Sequence, residues 1–95
     1  MARVKNSIIA ERKLHALCFI LLHQEESAGY IASTRDMAKS LGLSEAQLRG
    51  VKKSLVEAGL VRVVSRTYPN GGTAENAYFL TPAGIEALSY ARSRR

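Results

Sequence analysis

The imidazole and thiol groups of this 95-residue chain are His15, His23 and Cys18 alone. Both histidines fall in one helical-looking segment, and no cysteine or carboxylate set is spaced to complete a metal site with them. They read as surface or packing residues. Cys18 lies inside the apolar run Ala16-Leu17-Cys18-Phe19-Ile20-Leu21-Leu22. It reads as a small buried hydrophobe, since a redox switch needs an exposed thiol of lowered pKa. Glu25-Glu26 and the scattered acids form no paired-carboxylate arrangement for acid–base work. Asn70-Gly71-Gly72 lacks the lysine and following helix of a phosphate-cradling loop. No enzyme activity, cofactor or metal is therefore expected.

The chemistry on offer is that of guanidinium, ammonium and amide groups. Fourteen Lys and Arg stand against eight acids, giving a net charge of +6 and a pI near 9.9. So basic a short chain suits a polyanionic partner, nucleic acid first among them. The seven-residue apolar run is far short of a membrane span. The first residues lack the pattern of a secretory signal. A cytoplasmic, nucleoid-associated protein is the expectation.

The elements that must position these groups follow from periodicity. Ninety-five residues suit a single domain over 1–95, and residues 1–7, with Arg3 and Lys5, read as a flexible basic arm. A helix is predicted from about Ile8 to Glu26. Leu14, Leu17, Cys18 and Leu21 repeat at helical spacing, while Phe19, Ile20 and Leu22 widen the apolar stripe. Such a helix needs covering on two sides, one of them by a second element or subunit. Tyr30-Ile31-Ala32 reads as a short strand after Gly29. A second helix starts at an N-cap Ser33 or Thr34, with Asp36 where a capping-box acid belongs, and stops at Gly42. A third opens at Ser44 with Gln47 at the third position, another capping box. Its inward stripe is Leu48, Val51, Leu55 and Ala58, and Gly59 ends it. Leu60 to Tyr68 alternates as a strand, Pro69-Asn70-Gly71-Gly72 turns, and Asn76 to Thr81 returns. Thr81-Pro82 then opens a last helix with Ile85, Leu88 and Ala91 on one face.

The segment Asp36-Met-Ala-Lys-Ser-Leu-Gly-Leu-Ser44 places small Ala38 where two helices cross closely and Gly42 where a tight turn needs positive φ. With Leu48, Val51, Leu55-Val-Glu-Ala-Gly-Leu-Val61 and the hairpin beyond, residues 34 to 91 resemble winged helix-turn-helix regulators of the MarR and PadR kind. The implied fold is α+β and mostly α: helix, short strand, helix, helix, β-hairpin wing, helix.

In such folds the third helix reads the major groove. With its apolar stripe inward, Ala46, Arg49, Gly50, Lys53 and Glu57 face outward and Gln47 lies at the edge. Gln47 suits a base edge, and Arg49 can fork onto guanine. Gly50 costs about 1 kcal/mol relative to alanine, a cost that makes sense where backbone must approach DNA, or where an exposed face simply tolerates it. Arg35, Ser44, Lys52 and Lys53 suit phosphates or the helix start. On the hairpin, Arg62, Arg66, Tyr68 and Asn70 are the candidate wing contacts, with Glu75 opposing deep insertion. The resemblance implies a double-stranded DNA-binding transcriptional regulator, a repressor acting as a homodimer through its first and last helices. Two alternatives stay open. Gly71-Gly72-Thr73 before Asn76-Ala77-Tyr78 resembles hairpins of plasmid and phage replication or partition proteins. Leu60-Val-Arg-Val-Val-Ser-Arg66 is similar to a strand in RNA- or protein-binding winged helices.

Overall fold

Tyr78 is the largest side chain buried to 1% exposure, and the strand that carries it lies at the centre of the sheet. In the computed structural model, which describes residues 6–93 (but not the side chains of residues 6, 7 and 92), the elements are α1 (Asn6–His23), β1 (Tyr30–Ile31), α2 (Thr34–Leu41), α3 (Glu45–Glu57), β2 (Val61–Thr67), β3 (Thr73–Leu80) and α4 (Pro82–Ser93). The three strands are antiparallel in the order β1-β3-β2. Tyr78 pairs with Tyr30 on one side and Val63 on the other. Residues at alternate positions therefore share its face, and Val61 and Leu80 join it against the helices. This is the winged helix-turn-helix arrangement that the resemblance implies.

The helices meet the sheet through short apolar stripes. Ala16, Leu17 and Ile20 of α1, Met37, Ala38 and Leu41 of α2, Leu48, Val51 and Leu55 of α3, and Leu88 of α4 are buried together. Full burial of a leucine or isoleucine side chain is worth about 1.5–3 kcal/mol, so these stripes orient the helices more firmly than local propensity does. The α2–α3 turn closes as expected. Gly42 has φ 69°, and Leu43 N–H donates to the Ala38 carbonyl at 2.9 Å, a bond that buried Ala38 permits by letting the chain double back closely.

Several boundaries and faces differ from the periodicity. Asn6 and Ser7 open α1 rather than belonging to an arm; residues 1–5, the rest of that expected arm, lie outside the described residues, as do Arg94 and Arg95. The helix stops at His23, not Glu26, because the chain turns there into a Glu25–Gly29 bridge. The deepest residues of α1 are Ala16, Leu17 and Ile20, while Leu14, Cys18 and Leu21 are only partly buried. Ala58 is exposed, because α3 ends before its stripe continues. Ile85 is 45% exposed, leaving Leu88 as the inward residue of α4. Strand β3 begins at Thr73, three residues earlier than expected, since a register shift between Val64 and Arg66 lets Ala74 and Thr73 pair with Arg66 and Thr67. Ala32 falls outside β1, and Leu60 and Tyr68 outside β2, trimming those strands at their ends.

The hairpin is clamped at its base. Thr81 N–H donates to the Leu60 carbonyl at 3.1 Å, its hydroxyl donates to the Gly59 carbonyl at 2.6 Å, and the same hydroxyl oxygen accepts from Gly84 N–H at 3.0 Å. Gly84 is buried here, and a Cβ on it would overlap the Leu60 carbonyl oxygen, a backbone atom with little room to yield. Gly84→Ala is thus expected to destabilise the fold by about 1–3 kcal/mol through overpacking. Chemical denaturation of the two proteins measures it, and an unchanged midpoint would refute the packing argument.

Candidate nucleic-acid interface

Helix α3 owes its start to a reciprocal pair of bonds. Ser44 Oγ accepts from Gln47 N–H at 3.1 Å, and Gln47 Oε1 accepts from Ser44 N–H at 3.0 Å. At α2 the Asp36 N–H donates to Ser33 Oγ at 3.0 Å, so Ser33 rather than Thr34 is the cap. The α3 box fixes the first turn but engages the Gln47 carbonyl, leaving its amide N–H groups to meet a base. With Oε1 turned back to the Ser44 backbone, Gln47 in this rotamer presents its amide donors outward rather than the paired donor and acceptor that adenine takes.

Beyond the cap, Leu48, Val51 and Leu55 are buried, while Ala46, Gln47, Arg49, Gly50 and Lys53 are exposed on the same helix. Arg49 Nη2 lies 3.6 Å from Glu45 Oε1, with both side chains at least half exposed. Lys53 Nζ lies 4.0 Å from Glu57 Oε1. Such exposed pairs one turn apart are worth a few tenths of a kcal/mol, so either cation is readily drawn to a stronger anion. Gly50 has open space where its Cβ would stand, and its φ is not positive. Nothing in the fold requires glycine there.

Lys52 is a different case from its neighbour. Its Nζ donates to Thr34 Oγ1 at 3.0 Å and to Tyr78 Oη at 2.8 Å, and sits 5.1 Å from the Tyr78 ring centroid. The ammonium faces the junction of α2 and β3. The reason is Tyr78: a phenol this deeply buried requires a partner, and Lys52 is long enough to reach it. Thr34 and Tyr78 are the partners of Lys52 that the sequence reading passes over, one as a cap candidate and one as a strand residue.

The wing cations are also placed in detail. Arg62 is exposed on the outer face of the sheet, its guanidinium 4.6 Å from the Phe79 ring centroid. Arg66 Nη1 donates to the Glu75 carbonyl at 3.2 Å, and Tyr68 hydroxyl donates to Glu75 Oε2 at 3.2 Å. Asn70 Oδ1 accepts from Gly72 N–H at 2.9 Å, so that side chain shapes the tip. Arg66 and Tyr68 flank the tip together, whereas Arg62 lies at the hairpin base. Arg35 is exposed on the first turn of α2.

Among the described residues, no group of three His, Cys, Asp or Glu side chains is arranged to hold a metal ion, and no helix is long and apolar enough to cross a membrane. His23 stacks on Phe19 with centroids 4.2 Å apart, and its Nδ1 lies 2.8 Å from the Phe19 carbonyl oxygen. That is a packing role. Burial first, and the Asp36 carboxylate second, raise the Tyr30 pKa above its ordinary value and keep that phenol neutral beside Tyr78.

No sequence-family model matches the chain, and no curated protein matches it significantly. Solved structures do share its fold. The A103V mutant of MepR from a multidrug-resistant Staphylococcus aureus clinical isolate superposes with a TM-score of 0.69 at 18% identity, over 86% of this chain and 54% of that one. A MepR–DNA complex from S. aureus gives 0.67 at 18% identity, over 95% of this chain and 55% of the other. A PadR-like transcriptional regulator from Bacillus cereus gives 0.68 at 14% identity, over 95% and 85%. The chain thus spans about half the length of these MepR chains.

The cap carries a direct test. Ser44→Ala removes the acceptor for the Gln47 amide and is expected to cost about 0.5–2 kcal/mol of stability. Urea unfolding measures it, and a cost near zero would show that the box contributes nothing to α3.

Proposed function

We propose that the chain is a double-stranded DNA-binding transcriptional regulator, a repressor that occupies its site as a homodimer. The observation that carries this reading is the outward face of α3. Its N-terminal half presents Ala46, Gln47, Arg49 and Gly50 to solvent on a helix anchored from behind by Leu48, Val51 and Leu55. Arg49 is the base reader, because its fork matches the two acceptors of guanine and its competitor among the described residues is an exposed, weak pair with Glu45. Gly50 serves as the point of closest backbone approach, since no contact or dihedral of the fold accounts for it. Arg35, Lys53, Arg62 and Arg66 bind phosphates, with Tyr68 and the Asn70 turn holding the wing in shape. MepR crystallised in complex with DNA shares the fold, which supports the assignment.

A paired titration against a selected site and a scrambled duplex, at one fixed salt concentration, tests these roles. Arg49→Ala should cost about 1–3 kcal/mol on the selected site and much less on the scrambled one. Arg66→Ala should weaken both evenly, because phosphate contacts carry little sequence information. Gly50→Ala should raise the stability of the free protein by up to about 1 kcal/mol while weakening DNA binding. Equal losses for Arg49→Ala on both duplexes would reduce α3 to an anchor. If selection from a random duplex library enriches no sequence, the regulator reading fails.

The dimer rests on the surface shared by α1 and α4. An open groove of about 600 Å³ between them is lined by the apolar Ile8, Leu14, Cys18, Leu88 and Ala91 together with the polar Glu11, Arg12 and His15. Leu22 at 72% exposure and Ile85 at 45% add apolar area to these helices. A two-fold contact would cover these surfaces and space two copies of α3 along DNA. Light scattering at micromolar concentration should give twice the 10.4 kDa chain mass, and Ile85→Glu, at an exposed position, should yield a folded monomer. A wild-type protein that scatters as a monomer would overturn this part of the proposal.

A further inference from the structure

An open cleft of about 330 Å³ lies between the start of α2 and strand β3, lined among others by Ser33, Thr34, Glu75, Asn76 and Tyr78. We infer that this cleft seats one phosphate group of the nucleic-acid backbone, an inference that rests on the DNA-binding reading. The donor bookkeeping at its inner wall points there. Lys52 Nζ donates to both Thr34 Oγ1 and Tyr78 Oη. An ammonium can only donate, so both hydroxyl oxygens are acceptors in these bonds and each keeps its own proton to give elsewhere. Thr34 and Tyr78 both line the cleft, and with Tyr78 buried to 1% exposure the part-exposed Thr34 is the hydroxyl placed to meet a ligand, backed by the Lys52 charge.

The charge itself is uncompensated. Among the described residues the ion pairs are Arg49–Glu45 and Lys53–Glu57, and no carboxylate lies within ion-pair distance of the part-buried Lys52 ammonium. A cation withdrawn from water and bonded only to neutral hydroxyls gains most from an anion placed on their far side. The first-turn amides of α2, at the same rim, add the positive end of a helix. The opposing groups are the Glu75 carboxylate, which accepts from the Tyr68 hydroxyl, and Asp36 in the first turn of α2. Arg66, bonded to the Glu75 carbonyl, offsets the former. The ligand is a compact oxyanion. The cleft lies between the helix that precedes α3 and the wing, the two elements flanking the proposed reading helix, and this favours a backbone phosphate over a free one.

The test uses the full chain with the selected and scrambled duplexes, titrated at several salt concentrations. Thr34→Val and Glu75→Gln leave the Lys52–Tyr78 bond in place, and Lys52→Met removes the charge, with folding checked by circular dichroism. Thr34→Val should weaken both duplexes alike, about 2- to 10-fold, as loss of one hydrogen bond implies. Glu75→Gln should tighten both. Lys52→Met should weaken both and make the slope of log K against log salt shallower by about 1. Wild-type affinity and slope in Thr34→Val and Lys52→Met, with Arg49→Ala still losing the selected site, would overturn this inference alone. A loss confined to the selected duplex would also overturn it, since Lys52 would then only position α3. Failure of the wild type to bind either duplex would overturn both the inference and the function it rests on. Inorganic phosphate at constant ionic strength separates the two sources. A rise in wild-type melting temperature that Lys52→Met abolishes, with DNA affinities unmoved by the variants, would assign the seat to a free anion and refute the backbone role.

Discussion

A phenol buried to 1% exposure in the middle strand of a small sheet sets the terms for everything around it. The Tyr78 ring fills the space between β1, β2 and the helices, and its hydroxyl must be satisfied or forfeit the desolvation cost of a buried polar group. Lys52 meets that need at 2.8 Å. By also bonding Thr34, it joins the first residue of α2, the middle of α3 and the centre of β3 through one nitrogen. This polar junction thus ties α3 to α2 and β3 alongside the apolar stripes of the core.

The parts of this architecture legible in the sequence are those fixed over a few residues. Ser44 with Gln47 three positions later announces its capping box, and Gly42 its left-handed turn, because each bond closes within one turn of chain. The stripe Leu48, Val51, Leu55 was readable for the same reason. The role of Lys52 was not, since its partners stand 18 and 26 residues away and a lysine on a polar helix looks solvated. The early start of β3 escaped because an irregularity in pairing leaves no periodic trace. Ile85 and Leu88 share one face by helical spacing, yet of the two only Leu88 is buried in the core, where Gly84 of the same helix packs against Leu60.

The candidate interface was legible in composition more than in geometry. Sequence alone identifies Arg49 and Gln47 as exposed and polar, but not that Glu45 and the Ser44 backbone already engage them. These engagements are individually weak and local. They bias these side chains toward defined orientations in the free protein, which reduces the freedom to be lost when they meet a ligand. On the wing, the ties of Arg66 and Tyr68 to Glu75 do the same for the hairpin.

The clamp at the hairpin base has a consequence for how this fold can vary. Thr81 fastens the end of β3 to Gly59 and Leu60, so the two strands are joined where they leave the core whatever happens farther out. The tip from Tyr68 to Gly72 is exposed, and among the described residues its hydrogen bonds are those of its own turn and the Tyr68–Glu75 contact within the hairpin. Lengthening a loop whose ends are already held together adds only about 0.6 kcal/mol for each doubling. The tip is thus the place where residues can be inserted or lost while the core stays as it is, and where the reach of the wing can be reset without redesigning the domain that carries it.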